Sequence, residues 1–373
     1  MPRLARLLVV SAGLLLPSGL AAAQIQTIPG STITSPTISS SQQEQLAAYV
    51  QAHADGLFGG DASAIRRSRA ALVEPLENRQ ASVAFRQAYG RALQETLDRL
   101  LESEDPTERI VGLALLGELA TEDAVRRLEE ELASEDDATR LFAVTRGERV
   151  FEILALVGTG LTPERAVGLA QRIGAGIPEE SDTLLADTRV RALAKAAQVP
   201  DSRIPGLRDA ALRAIGEHFG ARVRTLDAAA LDAAALRAVV RAAEIARQNL
   251  LQAGGSMPGR EATRELLAFS GDILSLMESA LRQNALGQGE EVATLAATAT
   301  AEAENIYLLT RAELSNGGQA SPVGFRAMLE SGNQREFSLR YARLFGGAGE
   351  LTQRPFGLDA SRFLRAGDAG SQR

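Results

Sequence analysis

Residues 105–132 read DPTERIVGLALLGELATEDAVRRLEEEL, and this stretch decides the fold. Asp105 is a favourable N-cap residue, Pro106 fits the first helical position, and Glu108 is placed to reach back to the cap. Thr121 is expected to cap a second helix, with two acidic residues at the positive end of that helix. Apolar residues recur at helical spacing in both halves, so the stretch predicts two consecutive amphipathic helices.

The same stretch resembles a known type of helical repeat. ERIVGLALLGEL at 108–119, followed by a capped second helix, resembles a HEAT-type repeat. RDAALRAIG at 208–216 resembles the first helix of such a unit more closely, and 189–194 is a fainter example. HEAT-like proteins are stacks of antiparallel helix pairs that usually bind proteins. The resemblance therefore implies such a stack over about residues 79–220.

The spacing of these matches is uneven. Arg109 and Arg140 are 31 residues apart, whereas Arg140 and Arg189 are 49 apart. A regular array keeps its period, so an irregular helical domain is the alternative to an ordered HEAT-like stack.

From about residue 225 the predicted helices become longer. Three stretches, 227–252, 257–284 and 290–314, are separated by glycine-containing breaks. In the third, small residues repeat in a three-four rhythm typical of a packed seam, namely Ala296, Ala299, Ala303, Ile306 and Thr310. We therefore predict an all-α protein in which an irregular HEAT-like stack is followed by an antiparallel long-helix bundle. The seam could also serve a homo-oligomer.

The predicted organisation has six parts. Uncharged Ser, Thr and Pro residues indicate a flexible leader, and repeated glycine indicates a flexible tail. Gly220 is expected to end the helix that begins near Pro205. The parts are a signal peptide (1–23), the leader (24–41), a HEAT-like helical domain (42–222), the long-helix bundle (223–315), short helices (316–345) and the tail (346–373).

The first residues have the layout of a secretory signal peptide. Arg3 and Arg6 precede an apolar run over 7–16, and small residues lead to a predicted cleavage site after Ala23. The run is about half of the ~20 residues that span a bilayer. The chain has no cysteine and no later apolar run of spanning length, so no membrane span is expected after cleavage. These features favour a periplasmic or secreted bacterial protein.

The composition argues against several classes of ligand. A net charge of −7 disfavours nucleic acid, because binding to phosphate backbones relies on basic surfaces. Aromatic residues make up only 4% of the chain and tryptophan is absent, which disfavours stacking platforms for sugars or bases. Hydrophobic residues make up 45%, which excludes wholesale disorder.

Few residues suggest catalysis or metal binding. His53 and His218 are the only histidines, and each lies on the apolar side of its predicted helix. They could be metal ligands or a general base, or else two unrelated, partly buried side chains. No HExxH motif, cysteine ligand or G-x-S-x-G elbow accompanies them. We therefore predict no metal site and no cofactor.

A short motif near the C-terminus resembles part of an enzyme family. Residues 330–333 (ESGN) resemble the start of the catalytic motif of lytic transglycosylases, in which Glu330 would be the general acid. The expected Gly-Leu-Met-Gln element is absent, and only 43 residues follow Glu330. The alternative is an ordinary helix C-terminus that stops at Gly332.

These features together predict an exported, non-catalytic helical scaffold that binds a protein of the bacterial envelope. Two alternatives stay open. The first is a periplasmic glycan-cleaving enzyme that uses Glu330. The second is a small-ligand carrier with a pocket in the helix bundle.

Overall fold

The computed structural model describes residues 27–251, 257–315 and 321–365. Within these ranges the chain forms α-helices joined by turns and loops, without a β-strand, so the predicted all-α fold is confirmed. The predicted signal peptide lies outside the described residues. The helices are α1 Gly30–Ile33, α2 Ser40–Ala54, α3 Ala62–Glu77, α4 Val83–Leu101, α5 Pro106–Leu119, α6 Glu122–Glu131, α7 Asp137–Leu156, α8 Pro163–Ala175, α9 Thr183–Ala197, α10 Leu207–Ala214, α11 Gly220–Thr225, α12 Ala233–Leu251, α13 Arg260–Arg282, α14 Glu290–Leu314, α15 Phe325–Glu330 and α16 Gln334–Phe345.

The helices form two layers that alternate along the chain. Layer A contains α3, α5, α7, α9, α12 and α14, and each packs on the next. Layer B contains α2, α4, α6, α8, the continuous pair α10 and α11, α13 and α16; its members also pack in order, except that a groove separates α4 from α6. The result is a stack of helix pairs, as the HEAT-like resemblance implies, and that prediction is confirmed.

Layer B has a regular period that the sequence matches did not reveal. Its first five helices begin at residues 40, 83, 122, 163 and 207, which are 39 to 44 residues apart. HEAT and armadillo repeats have periods of about 40–47 residues. Arg109, Arg140 and Arg189 all lie in layer A, where helix starts are less evenly spaced, and this explains the irregular interval between the matches.

The long helices extend the two layers. α12 packs on α9, and α13 packs on α10 and α11, while both pack on α14. The predicted seam residues of α14, among them Ala299 and Thr310, are fully buried within the chain itself. A homo-oligomer formed through this seam stays a prediction. Within a single chain, α12 and α13 already cover the seam.

α13 is the most enclosed of these helices. Every residue from Leu266 to Ala280 is buried, although the stretch includes Asp272 and Glu278. A helix buried on all sides must satisfy each of its polar groups inside the protein. α13 therefore lies at the centre of the C-terminal half, and several neighbouring elements form polar contacts with its side chains.

The helix termini confirm some predicted caps and correct others. Asp105 accepts the Thr107 N–H at 2.8 Å, as expected for an N-cap. Thr121 occupies the N-cap position of α6, but its side chain makes no capping hydrogen bond. Glu108 does not reach back to the Asp105 N–H; it accepts from the Ser103 hydroxyl instead, at 2.7 Å.

Gly220 does not end a helix, contrary to the prediction. α10 continues through a π-helical turn, Ile215–Phe219, directly into α11. A Cβ atom at Gly216 would lie 2.7 Å from the backbone of Glu265, and one at Gly220 would clash with the Asp272 carboxylate. These glycines let α13 approach closely, so their small size serves helix packing rather than termination.

Buried arginines tie neighbouring helices together. The Arg86 side chain, in α4, is 2% exposed. It donates to the carbonyl of Glu118 at 2.9 Å, near the end of α5, and to that of Leu76 at 2.7 Å, near the end of α3. The last carbonyls of a helix lack intrahelical donors and carry its negative dipole end, so a guanidinium suits this position.

The predicted leader and tail are ordered where the structure describes them. Ile28 and Ile33 are buried, and residues 30–33 form α1, so this part of the leader packs on the body. In the tail, Phe356 and Phe363 are buried, and Arg362 forms ion pairs with α13. Aromatic and isoleucine side chains within these Gly- and Ser-rich stretches explain why they dock. No helix among the described residues is long and apolar enough for a membrane span.

Candidate functional site: a groove on layer B

A surface groove of about 570 Å³ lies between α8, α10 with the π turn, and the first turn of α13. We call it the α8–α13 groove. The small side chains of Ala175, Ala210, Ala214 and Ala262 line its apolar part. Ionic side chains surround them, including Arg213, Glu217, Arg260 and Glu261. The groove therefore combines an apolar base with charges of both signs.

Close helix packing positions these side chains. A Cβ atom at Gly174 would lie 2.8 Å from the Cβ of Ala214, so glycine allows α8 and α10 to approach closely. The π turn that follows places Glu217 and His218 at the groove. Single π-helical turns inserted in an α-helix occur frequently at functional sites.

The charges of the groove are largely paired with each other. Arg213 contacts Glu261 at 3.2 Å and Glu217 at 3.6 Å, and all three side chains are about half exposed or more. Asp209 accepts the N–H of Gly259 at 3.0 Å and so caps the start of α13 from outside. Exposed pairs of this kind contribute little stability, so a partner could exchange them for contacts of its own.

A second groove, of about 420 Å³, lies between α4 and α6. Gln87, Arg91 and Gln94 line one side, and Asp123 and Arg126 line the other. It is more polar than the α8–α13 groove. Both grooves lie on layer B.

The two histidines lie in different parts of layer B. His53 is near the end of α2, with its ring 4.7 Å from that of Tyr49, and its buried Nε2 has no hydrogen-bond partner. His218 lies on the π turn and lines the α8–α13 groove. The structure does not bring them together: α2 packs on α3 and α4, whereas the π turn packs on α13. No group of three or more potential metal ligands is found in the described ranges.

Glu330 is the last residue of α15 and is half exposed. It forms an ion pair with Arg326 of the same helix at 2.8 Å. Gly332, with a φ of +66°, follows the helix in the left-handed conformation typical of a C-terminal stop. The side chain lies at the edge of a surface hollow of about 460 Å³, shared with the start of α14. Its role as a general acid stays a prediction.

Sequence reasoning missed an ionic cluster built around a completely buried acid. The Asp272 side chain is completely buried and binds Arg362 and Arg224, at 2.8 and 2.9 Å respectively. Burial raises the pKa of Asp272 to about 6, although both arginines oppose the shift. One signal was available, because Asp272 is a single acid within the apolar run 266–277.

No family model matches the chain, and no curated protein matches it. Among solved structures, it is similar to two engineered proteins, each 18% identical with a TM-score of 0.29. One match covers 69% of this chain and 97% of the other, and the second covers 89% and 91%.

A designed armadillo repeat protein is also similar, at 16% identity and a TM-score of 0.30. The match covers 68% of this chain and 99% of the designed protein. Similarity at this level does not indicate a function, and the two-layer architecture is defined by the helix contacts of the chain itself.

Proposed function

We propose that the protein is an exported, non-catalytic scaffold of the bacterial cell envelope that binds another protein through layer B. The α8–α13 groove carries this proposal. Its alanine-lined base offers apolar area, and its rim offers paired charges of both signs. Protein interfaces commonly combine a small apolar centre with a polar rim.

The ionic character of the groove supports a protein as the partner. Arg213 and Arg260 face Asp209, Glu217 and Glu261, so the groove has no excess of positive charge. A nucleic acid would need such an excess to replace its counterions. A protein surface can supply both signs, and it can also cover the alanines.

Site-specific photo-cross-linking tests the proposal. A photoreactive residue replaces Arg213 or Glu217 in the groove, and in a matched control it replaces Arg237 of layer A, which is also about half exposed. In cells, both groove positions should cross-link to the same protein, and position 237 should not. Identical products at all three positions, or none at the groove positions, would contradict recognition by layer B.

Export needs a test of its own. If the predicted signal peptide operates, mass spectrometry of the protein from the native cell envelope should find Gln24 as the first residue. A chain that keeps residues 1–23 and stays in the cytoplasm would refute the location. The binding role of the groove would then have to be tested in the cytoplasm.

A further inference from the structure

The C-terminal segment, residues 346–365, is attached differently from the helices of the stack. It contains only short 3₁₀ turns, Glu350–Thr352 and Ala360–Phe363, and it lies across α13. α13 side chains donate to its backbone: Arg260 binds the carbonyl of Pro355 at 3.2 Å, and Arg264 binds that of Gly357. The segment is thus held as a bound peptide is held, by side chains of α13 that donate hydrogen bonds to its backbone.

Arg362 is the main anchor of this segment. Its guanidinium donates to both carboxylate oxygens of Asp272, at 2.8 to 3.2 Å, and to Glu265 at 2.8 Å. It also donates to the carbonyl of Gly216 in the π turn at 3.1 Å. Two carboxylates and a carbonyl around one guanidinium form a site that matches the planar donor geometry of arginine.

The residues after Arg362 add contacts on the same face. The Phe363 ring lies 5.0 Å from that of Phe345, and the Phe363 carbonyl accepts the Ser275 hydroxyl at 2.9 Å. Arg365 donates to the carbonyls of Val223 and Leu226, both at 2.8 Å, where α11 ends. Leu364, between them, is 61% exposed. The face therefore contacts Arg362, Phe363 and Arg365, while the side chain of Leu364 stays largely exposed. The contacted sequence is Arg-Phe-x-Arg, in which x can be any residue.

The buried carboxylate of Asp272 favours a ligand that carries a guanidinium group. Asp272 has no exposed side-chain surface, and a buried charge that loses its partner is strongly unfavourable. Arg224 provides a single contact and is itself 36% exposed. An emptied site therefore leaves Asp272 to be neutralised by a proton or by another guanidinium. The four residues Gly346, Gly347, Ala348 and Gly349 join α16 to the segment and supply a flexible backbone at which it could be released.

We propose that this face of α11, α13 and the π turn is a recognition site for an Arg-Phe-x-Arg segment, and that it also binds the C-terminal segment of a second copy of the chain. A second copy carries the sequence that the face already fits. The short linker gives the chain's own segment a high effective concentration, so the closed monomer dominates when the protein is dilute. Reciprocal exchange of the segment then gives a swapped dimer at high concentration.

The first experiment uses the full chain with Arg362→Ala and a labelled synthetic peptide with the sequence of residues 350–365. The variant weakens the chain's own segment and leaves the face intact, so the peptide should bind it about tenfold more tightly than it binds the wild-type chain. A peptide in which Ala replaces Arg362 should bind at least about tenfold more weakly than the unaltered peptide. A peptide with Arg354→Ala is the matched control, because Arg354 is exposed, and it should bind as the unaltered peptide does. Equal binding of all three peptides would overturn the proposal.

A second measurement needs no substitution in the protein. An excess of the unaltered peptide should displace the segment of the wild-type chain, which hydrogen exchange would detect as faster exchange at residues 356–365. The concentrated wild-type chain should also form a dimer by native mass spectrometry, and the Arg362→Ala chain should form much less of it. If the peptide leaves exchange unchanged and the wild-type chain stays monomeric, the C-terminal segment is only a permanent part of the fold, and the proposal fails.

Discussion

The regular part of layer B and the C-terminal segment are stabilised in opposite ways. From α2 to α10, each helix packs on near neighbours at intervals of 39 to 44 residues. The C-terminal segment instead contacts residues far away in sequence: Arg362 binds Gly216, 146 residues earlier, and Asp272, 90 residues earlier. The comparison shows that apolar periodicity builds the stack, whereas buried aromatic side chains and a few directional ionic contacts hold the C-terminal segment.

Arginine serves both regions, but in different roles. Arg86 donates only to backbone carbonyls in the stack. Arg362 is paired with two carboxylates. The first arrangement requires only the carbonyl groups at helix ends, and every repeat contains these. The second requires an acidic residue buried on another helix, and a local sequence pattern does not reveal such a residue.

The largest expected effect tests the stack. Arg86→Ala should lower the free energy of unfolding by about 3–5 kcal/mol, because it leaves buried carbonyls without donors and opens a cavity. Chemical denaturation would measure it. Arg91→Ala is the control, since Arg91 is exposed on the same helix, and it should change stability by less than about 0.5 kcal/mol. A similar loss in both variants would show that the helix, rather than the buried guanidinium, determines the effect.

The second prediction concerns the closed end and its pH dependence. The pKa of Asp272 is raised to about 6 by burial, so the folded chain binds a proton more tightly than the unfolded chain does. Stability from this group should therefore increase as the pH falls from about 7 to about 4, by about 2–3 kcal/mol in total. Relative to the variant Asp272→Asn, the wild type should gain stability over that range.

Unfolding curves at several pH values for both proteins would measure this difference. Acid usually weakens an ion pair and so lowers stability. The sign of the change in stability as the pH falls therefore distinguishes the effect of burial from that of an ordinary ion pair. If the wild type loses stability relative to Asp272→Asn as the pH falls, the two arginines outweigh burial, and the closed end resembles an ordinary salt bridge.

The third prediction compares a cap supplied from a distance with the local caps of the stack. Glu304 of α14 accepts the N–H groups of Gly324 at 2.7 Å and Phe325 at 3.1 Å, and thereby caps α15. Glu304→Ala should lower the free energy of unfolding by about 2 kcal/mol, because these donors become unpaired. Glu313→Ala, at an exposed position of the same helix, should have almost no effect. Equal effects would mean that the cap contributes nothing measurable.

The same contrast explains which features the sequence could predict. The adjacent residues Asp105 and Pro106 mark the start of α5. The apolar spacing of α14 predicts a helix over Glu290–Leu314, which are its observed bounds. The two layers follow from the alternation of such helices. The period of layer B was missed because the arginines used to measure it lie in layer A. The α8–α13 groove was also missed, because it forms only where three separate helices meet.

Other features depend on pairs that no local signal connects. Asp272 is conspicuous within an apolar run, but nothing in its neighbourhood points to Arg362, which lies in a glycine-rich tail predicted to be flexible. Glu304 likewise caps a helix that begins 21 residues later. Such contacts arise from the packing of complete helices, so they become visible only in the structure.

The smallest expected effect distinguishes two N-caps within the stretch that decides the fold. Asp105 accepts a backbone N–H, whereas Thr121 occupies the equivalent position without a capping hydrogen bond. Asp105→Ala should therefore lower the free energy of unfolding by about 1 kcal/mol. Thr121→Ala should cost less than that, since only the packing of a small buried side chain is lost. Thermal unfolding of the two variants would rank them. If Thr121→Ala were the more damaging substitution, burial of this residue between α4 and α6, and not hydrogen bonding at helix ends, would set the stability of the repeat.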